Sequence, residues 1–309
     1  DLDGKVKYKV LGQTDLSNGL KSERFEKADL IFDTRKDSPI SLPENLSLIV
    51  NQISDPNSHR IGLYKLHILS KMSQGNYPLI NPPENVMLTV RDKLFQRIPA
   101  ISGLCVPRSI RVKPLSPEHI LKEITQAGLS LPLLLEPCIS DEKSPRLFLE
   151  AASLQESLLS VALDGREYYL TEPAPFQGQR SKFIYRVYVI EGQVYSGDIC
   201  PLDPMPDSEH NSPLPKDLSS RLETILSPLI KCVKLDYFYL DLMPLSDDTF
   251  YLDQLSAHLP LYREINPEIG SEETKQKINK AMIEMIIGRV SQTAAQESDE
   301  YSSSCLSYV

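Results

Sequence analysis

A small α/β unit followed by a longer α+β arrangement is the fold class this sequence predicts, and three observations predict it. Residues 46–80 run apolar strand, helix, apolar strand, at the spacing of a βαβ unit with a parallel pair. Two later stretches read as antiparallel hairpins: Phe183–Gly197 around Glu191-Gly192, and residues 235–255 around an acidic turn centred on Asp247. Between them lie segments with helical spacing, bounded by Ser, Pro and Gly.

The elements follow in order. Residues 1–45 are charged and weakly periodic, with Ala28–Phe32 as one short strand. Leu46–Val50 is an apolar, β-rich run. Residues 58–74 form a helix whose stripe is Ile61, Tyr64, Leu66, Ile68 and Leu69. Pro78–Ile80 is a second strand, stopped by Asn81-Pro82-Pro83. A helix covers 86–97 and a strand covers 105–112. Residues 116–128 make a helix entered through Ser116-Pro117 and closed by Gly128. Leu131–Cys138 is a buried strand, 150–162 a helix, and Glu167–Thr171 a strand ending at Glu172-Pro173. After the first hairpin, residues 202–216 carry four prolines and form a loop. A helix at 217–232 leads into the second hairpin, and a long helix at 272–290 follows. Ser291–Val309 is polar and serine-rich and reads as a disordered tail.

The second hairpin carries the sharpest chemical signal. Side chains alternate along a strand, so Phe238, Leu240, Leu242, Phe250 and Leu252 share one face. Tyr239, Asp241, Tyr251 and Asp253 share the other. With Asp247 at the turn, Asp241 and Asp253 stand opposite each other. Two such carboxylates repel unless something positive lies between them. A divalent cation carrying phosphates is one answer, because hard cations take oxygen ligands. A wet, screened surface is the other.

Composition narrows the classes. The formal charge of −9 argues against a general nucleic-acid binder, which needs a basic surface. No apolar run approaches the roughly 20 residues of a membrane-spanning helix, and no signal peptide is visible. The five cysteines are widely spaced with no CxxC pair, which suits reduced thiols in a cytoplasmic protein. The histidines form no HExxH or HxH pattern. His258, beside the acidic hairpin, is a lone histidine and reads as structural.

Several short motifs then line up with a known group. They are Asn51 and Asn81-Pro82 after the two early strands, and Thr89-Val90-Arg91-Asp92-Lys93. Ser102-Gly103-Leu104-Cys105-Val106-Pro107 and Tyr185-Arg186-Val187 with Glu191-Gly192 follow. Last come Leu235-Asp236-Tyr237 through Asp241, and Phe250 through Asp253. In this order they resemble the ATP-grasp superfamily of the glutathione-synthetase type, and more narrowly the ATP-grasp modules found beside tetratricopeptide repeats in bacteria. The resemblance implies a pre-ATP-grasp α/β domain over 1–98, a small ATP-grasp subdomain over 99–175, a large one over 176–290, and the tail. It implies ATP between the subdomains, with Lys93 and Arg186 on phosphate oxygens and Glu172 at the hinge beside adenine and ribose. It implies magnesium on Asp241 and Asp253, and a carboxylate activated as an acyl phosphate for attack by an amine. Lys93 and Arg91 otherwise read as the wet face of a helix, Arg186 as stacked on tyrosine, and Glu172 as an exposed acid before a proline.

The sequence also departs from the group. A central strand that should end in Lys or Arg reads Leu133-Leu134-Leu135-Glu136-Pro137, placing an acid where phosphate sits. Glu136→Lys is therefore expected to tighten ATP binding. The loop that should wrap phosphates has no glycine between Leu129 and Asp164. Lys143 and Arg146 are the cations left in that loop. Asp253 stands for a longer glutamate, and Leu255 for a coordinating asparagine. Two functions compete: a carboxylate–amine ligase using ATP and a carboxylate or peptide substrate, and a degenerate ATP-grasp module acting as a binding or regulatory partner of another protein. A third reading rests on Ser307-Tyr308-Val309, which has the shape of a C-terminal ligand for strand-addition domains.

Overall fold

The computed structural model describes residues 46–73, 77–139, 147–174, 183–195, 199–201, 216–246, 249–259 and 272–305, with a few isolated positions before residue 46. The strand expected at Ala28–Phe32, the proline-rich loop, Asp247, the cations Lys143 and Arg146, and the last four residues lie outside the described residues.

Strand β1 (Ile49–Val50), helix α1 (Arg60–Met72) and strand β2 (Leu79–Ile80) form the expected unit, and β1 and β2 pair in parallel. The inward face of α1 differs from the predicted stripe. Gly62, Leu63 and Leu66 are buried, while Ile61 and Tyr64 are 56% and 59% exposed. Of the predicted stripe, Leu66 is buried and Leu69 half-buried.

The helix expected at 86–97 is broken. Pro83 starts α2 (Pro83–Val86) early, at the position where its missing N–H costs nothing. A 3-10 turn, Met87–Thr89, follows. Val90 then takes an extended ψ of 125°, and α3 (Arg91–Arg97) begins afresh. The restart puts Arg91 at the head of a helix.

The strand expected at 105–112 also divides. β3 (Leu104–Cys105) and β4 (Ser109–Val112) flank Pro107, which has no N–H for a ladder. β3 runs parallel to one sheet's edge at Phe250–Tyr251, and β4 pairs antiparallel with Tyr168–Thr171 of another. The chain passes from one sheet to the other at Val106-Pro107-Arg108.

The second sheet has four strands in the order β4-β7-β5-β6, with β5 Leu133–Pro137, β6 Leu147–Leu149 and β7 Tyr168–Thr171. Helices α4 (Pro117–Ala127) and α5 (Leu154–Leu159) cover it. Its own core includes Ile120, Ile124, Leu133, Leu135, Leu149, Leu158 and Leu170. α4 begins and ends as its sequence dictates: Ser116 Oγ accepts from the His119 N–H at 3.2 Å, and Gly128 closes the helix with φ 60°. Ser116→Ala is expected to cost about 1 kcal/mol of stability by denaturant titration.

The first sheet has six strands: β10-β8-β11-β12-β3, with β9 also on β8. Its strands are β8 (Phe183–Ile190), β9 (Gln193–Tyr195), β10 (Ile199–Pro201), β11 (Tyr237–Ser246) and β12 (Thr249–Ser256). Both expected hairpins are present, turned at Glu191-Gly192 and between Ser246 and Thr249. One face carries Phe238, Leu240, Leu242, Phe250 and Leu252, packed with Leu222, Leu226, Leu229 and Val233 of α6 (Lys216–Val233). That core also takes Leu63, Val86, Leu94 and Phe95. The other face packs Tyr188, Tyr237 and Tyr239 against Ile278, Met282, Met285 and Ile286 of α7 (Glu272–Cys305).

The β1/β2 pair is fastened to the large sheet by asparagines. Asn81, fully buried at a left-handed φ of 54°, donates to the Tyr237 carbonyl and accepts from the Asp236 N–H at 2.7 Å. Asn51 donates to the Asn81 carbonyl, and the Tyr237 hydroxyl donates to the Asn51 carbonyl. These two asparagines hold strands together. α7 continues past residue 290 to Cys305, so the expected disordered tail is helical that far. No glycine or proline interrupts 289–305, which leaves the helix nothing to stop it. Among the described residues, no helix is long and apolar enough to cross a membrane.

Candidate nucleotide cleft

The residues singled out from the sequence collect in two places. The first is the middle of the large sheet. Arg186 on β8 pairs across the ladder with Asp241 on β11. Its Nε donates to Asp241 Oδ1 at 2.8 Å and its terminal nitrogen to Oδ2 at 2.7 Å. This is a two-pronged guanidinium–carboxylate contact. Asp241 is 3% exposed. The guanidinium also lies 4.8 Å from the centre of the Tyr239 ring, whose edge meets His258. Arg186 thus both stacks on a tyrosine and satisfies a buried acid.

Asp253 is not the cross-strand partner of Asp241. The register sets Asp241 against Gln254, with a bulge between Asp241 and Leu242 on β11 and between Leu252 and Gln254 on β12. A bulge adds one residue to one strand and changes the pairing. The alternation before it still puts Tyr251 and Asp253 opposite Phe250 and Leu252, away from the first core. After it, Leu255 returns to that core at 8% exposure. The bulge therefore keeps an apolar residue inside where the resemblance expects a metal ligand. The negative charge of Asp253 is felt by Arg91 and by the Tyr251 phenol.

The second place is the junction between the two sheets. Glu136 on β5, Tyr169 on β7 and Arg111 on β4 form one cross-strand row. Arg91, at the head of α3, makes an ion pair with Glu136. Its guanidinium lies 5.4 Å from the Tyr169 ring centre, and that of Arg111 lies 5.3 Å from the same centre. Arg111 donates to Asn57 Oδ1 at 2.6 Å, to the Tyr169 hydroxyl at 2.9 Å and to Glu167 at 2.9 Å, and sits 3.5 Å from Asp92. The Tyr169 hydroxyl donates to Asn57 Oδ1. Burial opposes the charge on Arg91, yet Glu136 and then Asp253 hold its pKa above the usual guanidinium value. Burial pushes the Cys138 thiol up to about 12 and the Tyr169 phenol up to about 12.

Glu172 lies just past the end of β7, at the same junction. Its carboxylate is 3.6 Å from Arg108, its carbonyl accepts from the Tyr251 hydroxyl at 2.8 Å, and its N–H donates to the Arg108 carbonyl. It ties the small sheet to β12. Lys93 does not join the group. It is exposed, and two residues round a helix from Arg91 is about 200°. Arg91, from the same motif, is the residue that turns inward. Arg91, Arg111, Tyr169 and Tyr251 are the site-forming residues that motif reading passes over. The signal available for them was the alternation of β4, β5 and β7, which puts residues 111, 136 and 169 on one face once the strands are paired.

These side chains do not form a magnesium site by themselves. Both Asp241 oxygens are taken by Arg186, Leu255 is in the core, and among the described residues no three His, Cys, Asp or Glu side chains form a group able to hold a metal ion.

No protein-family model matches the chain, and no curated protein matches it. Solved structures do. D-alanine–D-alanine ligase from Bacillus anthracis superposes with a TM-score of 0.52 at 12% identity, over 82% of this chain and 83% of that one. The ATP-grasp ligase PsnB with a minimal precursor gives 0.48 at 15% identity, over 74% and 71%. PsnB with that precursor, Mg and ADP gives 0.46 at 16%, over 74% and 68%. The chain has an ATP-grasp fold of mixed helix and sheet.

Proposed function

We propose that this protein is a degenerate ATP-grasp module, without ligase chemistry, that acts as a binding or regulatory partner of another protein. One observation carries the reading. Asp241, the expected metal ligand, is already spent on Arg186, the expected phosphate contact, and Glu136, the acid where a phosphate-binding base was expected, is spent on Arg91. Buried pairs of this kind do not open cheaply, because separating them leaves an uncompensated charge in low dielectric. The exposed Lys93 and the glycine-free stretch between Leu129 and Asp164 support the same reading.

The ligase reading keeps one observation of its own: Arg186, Asp241 and Asp253 lie on one face of an ATP-grasp sheet. In that reading Arg186 is catalytic, Lys93 and Glu172 hold ATP between residues 99–175 and 176–290, and a carboxylate or peptide is the substrate. It requires Asp241 to leave Arg186 for magnesium. Neither reading uses nucleic acid or a membrane, and both suit the cytoplasm.

Calorimetric titration of the full chain with ATP, with and without magnesium, separates them. The degenerate module is expected to bind ATP more weakly than about 0.1 mM, with the same affinity in both buffers. A low-micromolar affinity that disappears without magnesium would establish the ligase reading instead.

A further inference from the structure

The four-stranded sheet has a core of its own, separate from the two cores of the large sheet. Val90, Cys138 and Tyr169 make a small apolar contact between it and the rest, surrounded by charge, and the Tyr251–Glu172 hydrogen bond adds a tie to β12. Arg111 reaches out of the small sheet to Asn57 in the loop before α1 and to Asp92 on α3. Arg91 reaches in from α3 to Glu136 and the Tyr169 ring. The two guanidinium groups thus cross the junction in opposite directions and meet at one tyrosine. Interfaces between subdomains are usually small and polar enough to permit motion. Here the polar groups are partly buried and, Asp92 Oδ1 apart, hydrogen-bonded to one another, which makes their loss expensive.

We infer that Arg111, Arg91, Tyr169 and Glu136 form a latch that holds the four-stranded sheet against α3 and the loop before α1. The latch is a switch built into the fold. When it is broken, the small sheet swings as a body on the Val106-Pro107-Arg108 crossing while keeping its own core. This inference does not depend on whether the cleft takes nucleotide.

Cys138 is a native reporter of the motion. It is buried in the junction at 8% exposure, directly after β5. Its alkylation rate by iodoacetamide, read by peptide mass spectrometry, measures opening of the junction in the full chain. Hydrogen exchange of the β5 and β7 amides measures unfolding of the small sheet itself. Arg111→Ala is expected to raise the Cys138 rate about tenfold or more, the scale of losing one or two charge-assisted hydrogen bonds. The β5–β7 amides are expected to keep their protection. Arg111→Lys keeps the charge without the fork and is expected to fall between the two. Glu136→Gln is expected to act in the same direction as Arg111→Ala. An unchanged Cys138 rate in both Arg111→Ala and Glu136→Gln overturns the latch. So does a rise in Cys138 labelling that is matched by loss of β5–β7 protection, since the sheet would then be unfolding and not swinging.

Discussion

Glu136→Lys is expected to destabilise the protein by roughly 3–5 kcal/mol and to leave ATP binding no tighter, the reverse of what the sequence suggests. Read in one dimension, Glu136 is an acid where a phosphate-binding base belongs. In three dimensions it is the partner of Arg91, with its side chain 9% exposed. A lysine there places two cations against each other in a partly dry junction, beside a second guanidinium on Tyr169. Denaturant titration of the variant measures the loss. The double variant Arg91→Met/Glu136→Leu removes both charges, and is expected to recover most of it, because an apolar pair avoids the desolvation cost. A Glu136→Lys protein as stable as wild type would mean that the pair contributes nothing and that the acid has another role.

The strand pairing explains why so much of the fold was legible and so little of the cleft. Hairpins and the parallel β1/β2 unit are local: the turn at Glu191-Gly192 and the alternation from Phe238 to Leu252 are set by neighbours in sequence. The cap at Ser116 and the stop at Gly128 are local too. The junction is not. Arg91 meets Glu136 across 45 positions, and Arg111 meets Asn57 across 54. No spacing rule reports such contacts, so Glu136 looked like a defect when its compensating charge lay in a motif already in view. The motif at Thr89–Lys93 pointed to the helix at the junction, and the break at Val90 decides that Arg91 turns inward while Lys93 is exposed. The bulge at Asp253 is the third case. One inserted residue sets Gln254 against Asp241, and nothing in the composition of β12 announces it.

Asp241→Asn should cost stability on the same scale, about 3–5 kcal/mol, since the neutral amide removes the charge of a two-pronged pair whose carboxylate is buried. Asparagine keeps the shape of aspartate and can accept one of the two Arg186 bonds, so packing is nearly unchanged and the loss reports charge. Arg186→Leu with Asp241→Leu removes both ends. It is expected to lose much less than either single change, because the buried-charge penalty disappears with the pair. The two functional readings diverge at this residue. If Asp241 were held for magnesium, Asp241→Asn would abolish magnesium-dependent ATP binding while costing little folding free energy, as metal-binding acids sit in mutual repulsion and gain from neutralisation. If Asp241 belongs to Arg186, stability falls and the weak ATP affinity is unmoved. Denaturant titration and calorimetry on the same variant give both numbers. A stable Asp241→Asn protein that has lost nucleotide binding would refute the degenerate reading, whatever the geometry of the resting pair.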